Sequence, residues 1–181
     1  MPKLPQILRA ETIAKTRLFH IQQLELRFSN GTEVQYERLV GSAHGATLIV
    51  PLADDDTVLL VREYAAGVNR YELGLPKGRI EAGEDPLQAA DRELMEEIGF
   101  GARRLHHLGA VTLAPAYFGH TTYVVLARDL YAKRLDGDEP EELEIVPWRL
   151  DAIDRLLGRD DFTEARSIAA LFMTREHLRR E

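Results

Sequence analysis

The stretch GRIEAGEDPLQAADRELMEEIGF, residues 78–100, decides how this chain is read. Its second half has the apolar spacing of an amphipathic helix over residues 86–98: Leu87, Ala90, Leu94 and Ile98 fall on one stripe. The boundaries carry their own chemistry. Asp85 suits the N-cap, Pro86 the first helical position, and Gln88 completes a capping-box pattern. Gly99 suits a terminator, because a helix commonly ends on a left-handed residue that glycine adopts without strain.

Strand patterns lie on both sides of this helix. Leu24, Leu26 and Phe28 alternate with Glu25 and Arg27 within residues 19–28. The turn signal Ser29-Asn30-Gly31 follows, then alternation through Val34 and Tyr36 to Leu39, which predicts a hairpin. Residues 46–52 and 58–61 are further strand candidates, joined across Asp54-Asp55-Asp56. That triplet reads as a solvated hairpin tip, since aspartate favours turns. Downstream, strands are predicted over 105–113, 121–127 and 143–148, an acidic loop over 136–142, and helices over 151–157 and 163–178. Strands before, around and after a central helix imply an α+β sandwich of sheet and helices. Residues 1–40 form an N-terminal strand region and 41–181 the main domain.

The 181 residues suit one domain with a small appendage. A net charge of -7 argues against a nucleic-acid partner, because phosphate backbones select basic surface. The absence of cysteine removes disulfides, thiolate ligands and cysteine nucleophiles together. Residues 1–10 have no secretory pattern, and the longest apolar runs, such as 47–52, are too short to cross a bilayer. The expectation is a cytoplasmic protein with no membrane partner.

The charged face of the central helix is the unusual feature. Glu93 and Glu97 are four apart and Glu93 and Glu96 three apart, so the carboxylates stack. Each such like-charge pair costs about 0.2–0.5 kcal/mol. They also stand near the helix C-terminus, where the macrodipole disfavours anions. Arg92 offsets part of this toward Glu96. A hard divalent cation with oxygen ligands would explain the rest. His106-His107 is not an equivalent pair, because neighbours in a strand face opposite ways. His44 and His120 fall in loops. There is no Gly-x-x-x-x-Gly-Lys-Ser/Thr phosphate loop.

Reading from Gly78, five residues lead to Glu84 and seven more to Arg92-Glu93-Leu94; Glu96-Glu97, Gly99 and Phe100 complete the pattern. This arrangement resembles the Nudix box of the Nudix hydrolases at all nine constrained positions. The resemblance implies an α/β/α sandwich of mixed sheet and helices, here with an N-terminal β-hairpin extension. It implies Mg²⁺, or Mn²⁺, held by Glu93 and Glu97. Glu96 would join them or manage a bound water, and the Lys77 carbonyl would add a ligand. Arg92 and Glu84 would orient the glutamates and the loop.

Several other segments are similar to the NudE-type ADP compounds hydrolases, relatives of ADP-ribose pyrophosphatase. They are residues 71–78 (YELGLPKG), Arg62-Glu63-Tyr64, residues 137–141 and the terminal helix. That resemblance implies hydrolysis of the pyrophosphate linkage in ADP-ribose, NADH and diadenosine di- or triphosphate, with release of AMP. It also implies a homodimer whose N-terminal strands help build the neighbour's site. Glu139 is the candidate base and Glu141 a further metal ligand; Arg38 and Arg62 are candidate diphosphate contacts, and Glu72 is a candidate contact to the adenosine portion or to the metal site. Pro115 and Tyr117 stand where ADP-ribose and diadenosine polyphosphate hydrolases carry a proline and a tyrosine. Ala116-Tyr117 replaces the glycines usual after that proline, which argues against strict ADP-ribose specificity. Two alternatives stay open: a nucleoside triphosphate pyrophosphohydrolase, and a non-catalytic module that senses ADP-ribose or NAD.

Overall fold

A computed structural model describes residues 3–181. The first two residues of the expected 1–40 region lie outside the described residues. The chain divides into two compact units, one running to Ala43 and taking in Thr112–Thr121, the other comprising His44–Val111 and Thr122–Glu181.

In the first unit, β1 (Gln6–Lys15), β2 (His20–Arg27) and β3 (Glu33–Val40) form an antiparallel meander. The predicted hairpin is β2–β3. Gly31 at φ +85° turns the chain, and Asn30 Oδ1 accepts from the Thr32 amide at 3.0 Å. Strand β1 was not expected. Its pairing with β2 shifts register between Ile7 and Arg9 and again between Thr12 and Ala14, and each shift breaks the alternation by which a strand is read.

The second unit begins with β4 (Ala46–Pro51), β5 (Thr57–Ala65), β6 (Arg70–Gly74) and β7 (Lys77–Arg79). Asp54 forms the expected tip between β4 and β5, its side chain accepting from the Asp56 and Thr57 amides at 2.9 and 2.7 Å. Next come α1 (Pro86–Glu97), β8 (Phe100–Thr112) and, within the first unit, β9 (Phe118–Gly119), which adds to the edge of β3. The chain ends with β10 (Thr121–Ala132), β11 (Glu144–Arg149), α2 (Ile153–Leu157) and α3 (Ala165–Leu178). Strands β6 and β7 were not foreseen; they are short and fall where the sequence drew attention as a motif.

One sheet has the order β7-β4-β10-β8, with β4 parallel to β10 and antiparallel to β7; the other is β11-β5-β6. Strands β4, β5 and β10 are buried on both faces. Leu48, Leu60 and Leu126 enter a core shared with Leu156, Phe162 and Leu171 of the C-terminal helical region. Ile49, Val61 and Val125 enter a second core with Ala90 and Leu94 of α1 and Ile98 at its C-cap. Alternate residues therefore feed opposite cores, which is why these segments read as continuous apolar runs. The result is the expected α/β/α sandwich, with helix on each side of sheet.

Candidate active site

The capping box at the start of α1 forms as the sequence predicts. Asp85 Oδ1 accepts from the Leu87 and Gln88 amides at 2.8 and 3.0 Å, and the Gln88 side chain accepts from the Asp85 amide at 3.0 Å. Gly99, at φ +73°, follows the helix end. With both ends fixed and Ala90, Leu94 and Ile98 buried, the glutamate face must turn toward β7. Gly78 of β7 meets that face. A Cβ there would collide with the Glu93 carboxylate, so any other residue would push that side chain out of its present place.

Arg92 organises three carboxylates. Its Nε and one terminal nitrogen donate to Glu84 at 2.8 and 3.0 Å, and its other terminal nitrogen reaches both Glu93 and Glu96 at 2.8 Å. It also donates to the Arg79 carbonyl at 2.8 Å, and Glu84 accepts from the Glu81 amide at 3.0 Å. This network ties loop to helix. Its effect on ionisation is reciprocal: Glu84 holds the Arg92 guanidinium well above its ordinary value, and Arg92 lowers Glu84.

Glu97 sits differently. It is only 6% exposed, and the Lys77 amide reaches its two oxygens at 3.4 and 3.3 Å. Burial raises its pKa to about 8; the Lys77 charge opposes that, while Glu93 and Glu63 reinforce it. Burial likewise raises Glu93 and Glu139. Glu63 and Asp138 add to the shift of Glu139, and Lys77 opposes it. The Lys77 ammonium pairs with Glu63 of β5.

A cavity of about 310 Å³ opens beside this group, lined by Glu96, Glu97, Glu139 and Glu141, with Arg134 among the other lining residues. The acidic loop thus faces the helix glutamates. Glu141 accepts from the Tyr71 hydroxyl at 2.7 Å. Among the described residues, no three acidic or imidazole side chains converge closely enough to hold a cation where they lie. Arg92 holds Glu84, Glu93 and Glu96, and Lys77 holds Glu63. The donor set nevertheless suits a hard divalent ion: all oxygen, several acids, and a buried carboxylate whose amide contacts are long.

The remaining candidates stand outside this cavity. Arg62 donates to Glu144 at 2.7 Å and Asp161 at 2.6 Å, and Glu72 accepts from Arg70 at 2.5 Å and from the Thr163 hydroxyl at 3.0 Å. Arg38 belongs to the N-terminal unit and bonds Gln22 at 3.2 and 3.0 Å. His106 stacks on His177 and His107 packs near Tyr123, while His120 stacks on Phe118. Sequence reasoning passed over Glu63 and the Lys77 side chain. Both lay inside quoted segments, but nothing local pairs residues 14 apart on separate strands. Among the described residues, no helix is long and apolar enough to cross a membrane.

A family model described as the NudE-type Nudix hydrolase N-terminal domain matches residues 5–38, and one described as the NUDIX domain matches residues 43–171. The chain is 47% identical over 175 residues to the ADP compounds hydrolase NudE of Escherichia coli (strain K12), covering 97% of this chain and 94% of that one. It is 26% identical over 173 residues to the ADP-ribose pyrophosphatase of Bacillus subtilis (strain 168), covering 91% of each. A crystal structure of an ADP compounds hydrolase matches with a TM-score of 0.93 at 46% identity, covering 99% of this chain and 96% of that one.

Proposed function

This chain belongs to the Nudix hydrolases, in their NudE-type branch, and on that premise we propose that it cleaves the pyrophosphate linkage of ADP-containing nucleotides with a divalent cation. The substrates of this reading are ADP-ribose, NADH and diadenosine di- or triphosphate, and AMP is a product. The observation that carries it is the cavity in which Glu139 faces Glu96 and Glu97.

Glu93 and Glu97 would hold the cation, with Glu96, Glu141 and the Lys77 carbonyl as further donors. Mg²⁺ is the first choice and Mn²⁺ the second. Such an ion neutralises charge on the diphosphate oxygens and makes water more acidic. Arg92 fixes Glu93 and Glu96 in orientation, and Glu84 fixes Arg92. Glu139 takes the proton from the attacking water. Its surroundings raise its proton affinity, which suits a general base. Glu141 accepts from Tyr71 at Oε1, which leaves Oε2 to serve as a ligand. Arg62 already donates to Glu144 and Asp161, and Glu72 accepts from Arg70 and Thr163, so both would meet substrate with these partners in place or in exchange for them.

We propose a homodimer as well. Ile7, Ile13, Val34 and Tyr36 of the N-terminal sheet are exposed, and an apolar sheet surface of this kind calls for a cover. Arg38 would contribute a diphosphate contact in that assembly. A cytoplasmic location accords with nucleotide substrates.

The test is a substrate panel with products identified: ADP-ribose, NADH, diadenosine triphosphate and nucleoside triphosphates. The expected result is AMP from the ADP compounds, lost in excess chelator and restored by Mg²⁺. Pyrophosphate released from triphosphates alone would favour a triphosphate pyrophosphohydrolase. Tight binding of ADP-ribose without turnover would favour a sensing module.

A further inference from the structure

Lys77 meets the acidic cluster twice. Its backbone amide faces both oxygens of Glu97, and its ammonium rests on Glu63. Glu97 is buried and the amide contacts are long, so its carboxylate lacks a short donor from that strand. Glu139, on the acidic loop, lines one cavity with Glu97, and Glu63 and Lys77 act on its carboxyl in opposite directions. Of the other cations at the site, Arg92 directs its guanidinium to Glu84, Glu93, Glu96 and the Arg79 carbonyl, and Arg134 pairs with Glu142 at 3.4 Å. The Lys77 ammonium is therefore placed to balance the carboxylates on the β5–β7 side.

We infer that the Lys77 ammonium, anchored on Glu63, is a built-in counter-cation of Glu97 and Glu139 that competes with the divalent ion at this site. The inference rests on the metal-dependent function proposed above. A buried carboxylate without a counter-charge is costly, and a flexible ammonium supplies that charge in metal-free protein. A divalent ion arriving beside Glu97 repels the same ammonium, which is retained by Glu63 at the edge of the cluster. Glu63 is thus a positioning residue, setting how strongly Lys77 opposes metal entry. If Lys77 and Glu63 merely staple β7 to β5, neutralising the lysine leaves metal affinity unchanged.

The test is a calorimetric titration of Mg²⁺, repeated with Mn²⁺, into chelator-stripped, nucleotide-free full-length protein. Lys77→Met is expected to tighten binding about tenfold, the scale of one neighbouring charge. Lys77→Arg keeps the charge and is expected to bind as the wild type does. Glu63→Gln frees the ammonium toward Glu97 and is expected to weaken binding, with a smaller effect when Lys77→Met is also present. Thermal unfolding of each variant checks the fold, and Lys77→Gln provides a second neutral side chain. Equal or weaker binding by folded Lys77→Met and Lys77→Gln overturns the inference alone. Wild-type protein that binds neither ion overturns the proposed metal-dependent function and this inference together.

Discussion

The two sides of the acidic cavity differ in how their carboxylates are satisfied. On the α1 side, Glu84, Glu93 and Glu96 share one guanidinium at 2.8–3.0 Å, and that guanidinium is pinned to the chain at the Arg79 carbonyl. Facing β7, Glu97 at the end of α1 has long amide contacts, Glu139 on the acidic loop has carboxylate neighbours, and the Lys77 ammonium acts on both from its seat on Glu63. A carboxylate held in a charge-assisted fork keeps its geometry, though burial still raises the proton affinity of Glu93. A buried one beside like charges has raised proton affinity and gains most from an incoming cation. On the proposed function, Arg92 orients Glu93 and Glu96 as ligands, while Glu97 and Glu139 are the groups whose charge an incoming cation would relieve most.

Substitutions that break this contrast should rank accordingly. Glu97→Gln, on the poorly satisfied side, is expected to abolish measurable turnover of ADP-ribose. The metal-free variant should melt at the same temperature as the wild type or higher, because a buried carboxylate is replaced by a neutral isostere. Near-normal turnover would remove Glu97 from the ligand set. Next comes Glu139→Gln, expected to lower kcat by about 10²–10⁴-fold with the Mg²⁺ requirement unchanged, as the loss of a base would. Glu141→Gln should instead raise the Mg²⁺ concentration for half-maximal rate. Parallel Mg²⁺ titrations distinguish them, and if both variants behave as wild type the loop is only a connection, with Glu96 the next candidate base.

On the side held by Arg92 the effect should be smaller. Arg92→Lys keeps the charge but loses the fork, so it cannot span Glu84, Glu93 and Glu96 together. Activity should fall about 10–100-fold, the usual cost of losing a group that orients ligands. Wild-type kinetics would make the network dispensable.

The smallest effect concerns an arginine-held carboxylate outside the cavity. Arg159 and Arg62 hold Asp161 well below the usual carboxylate range. A depressed folded pKa stabilises the protein above the unfolded value, and that contribution disappears as pH falls through the folded one. Asp161→Asn should therefore lower the melting temperature at pH 7. The gap should narrow as pH drops below about 4, the unfolded aspartate value. A gap that does not change with pH would mean that the charge of Asp161 contributes nothing.

Much of the architecture was legible because its signals are local. The α1 boundaries follow from Asp85, Pro86, Gln88 and Gly99, all within one turn of the helix ends they define. The doubly buried strands follow from apolar runs at 46–52 and 58–61, and the β2–β3 hairpin from Asn30-Gly31. Strand β1 was missed because its register shifts erase the alternation. Strands β6 and β7 span five and three residues, too few for a period to emerge.

By itself, the sequence determined that Glu93, Glu96 and Glu97 share a helix face with Arg92, because 3.6 residues per turn leave no other arrangement. It determined that residue 78 is glycine, but only the tertiary structure showed what stands beside it, the Glu93 carboxylate. Tertiary structure also decided that Lys77 serves Glu97 through its amide and Glu63 through its ammonium, and that Tyr71 reaches Glu141. Those pairs stand 20, 14 and 70 residues apart. Helical spacing acts within a few residues and can be read from a string. Which strands become neighbours depends on burying two cores at once, and that choice is made by the whole chain.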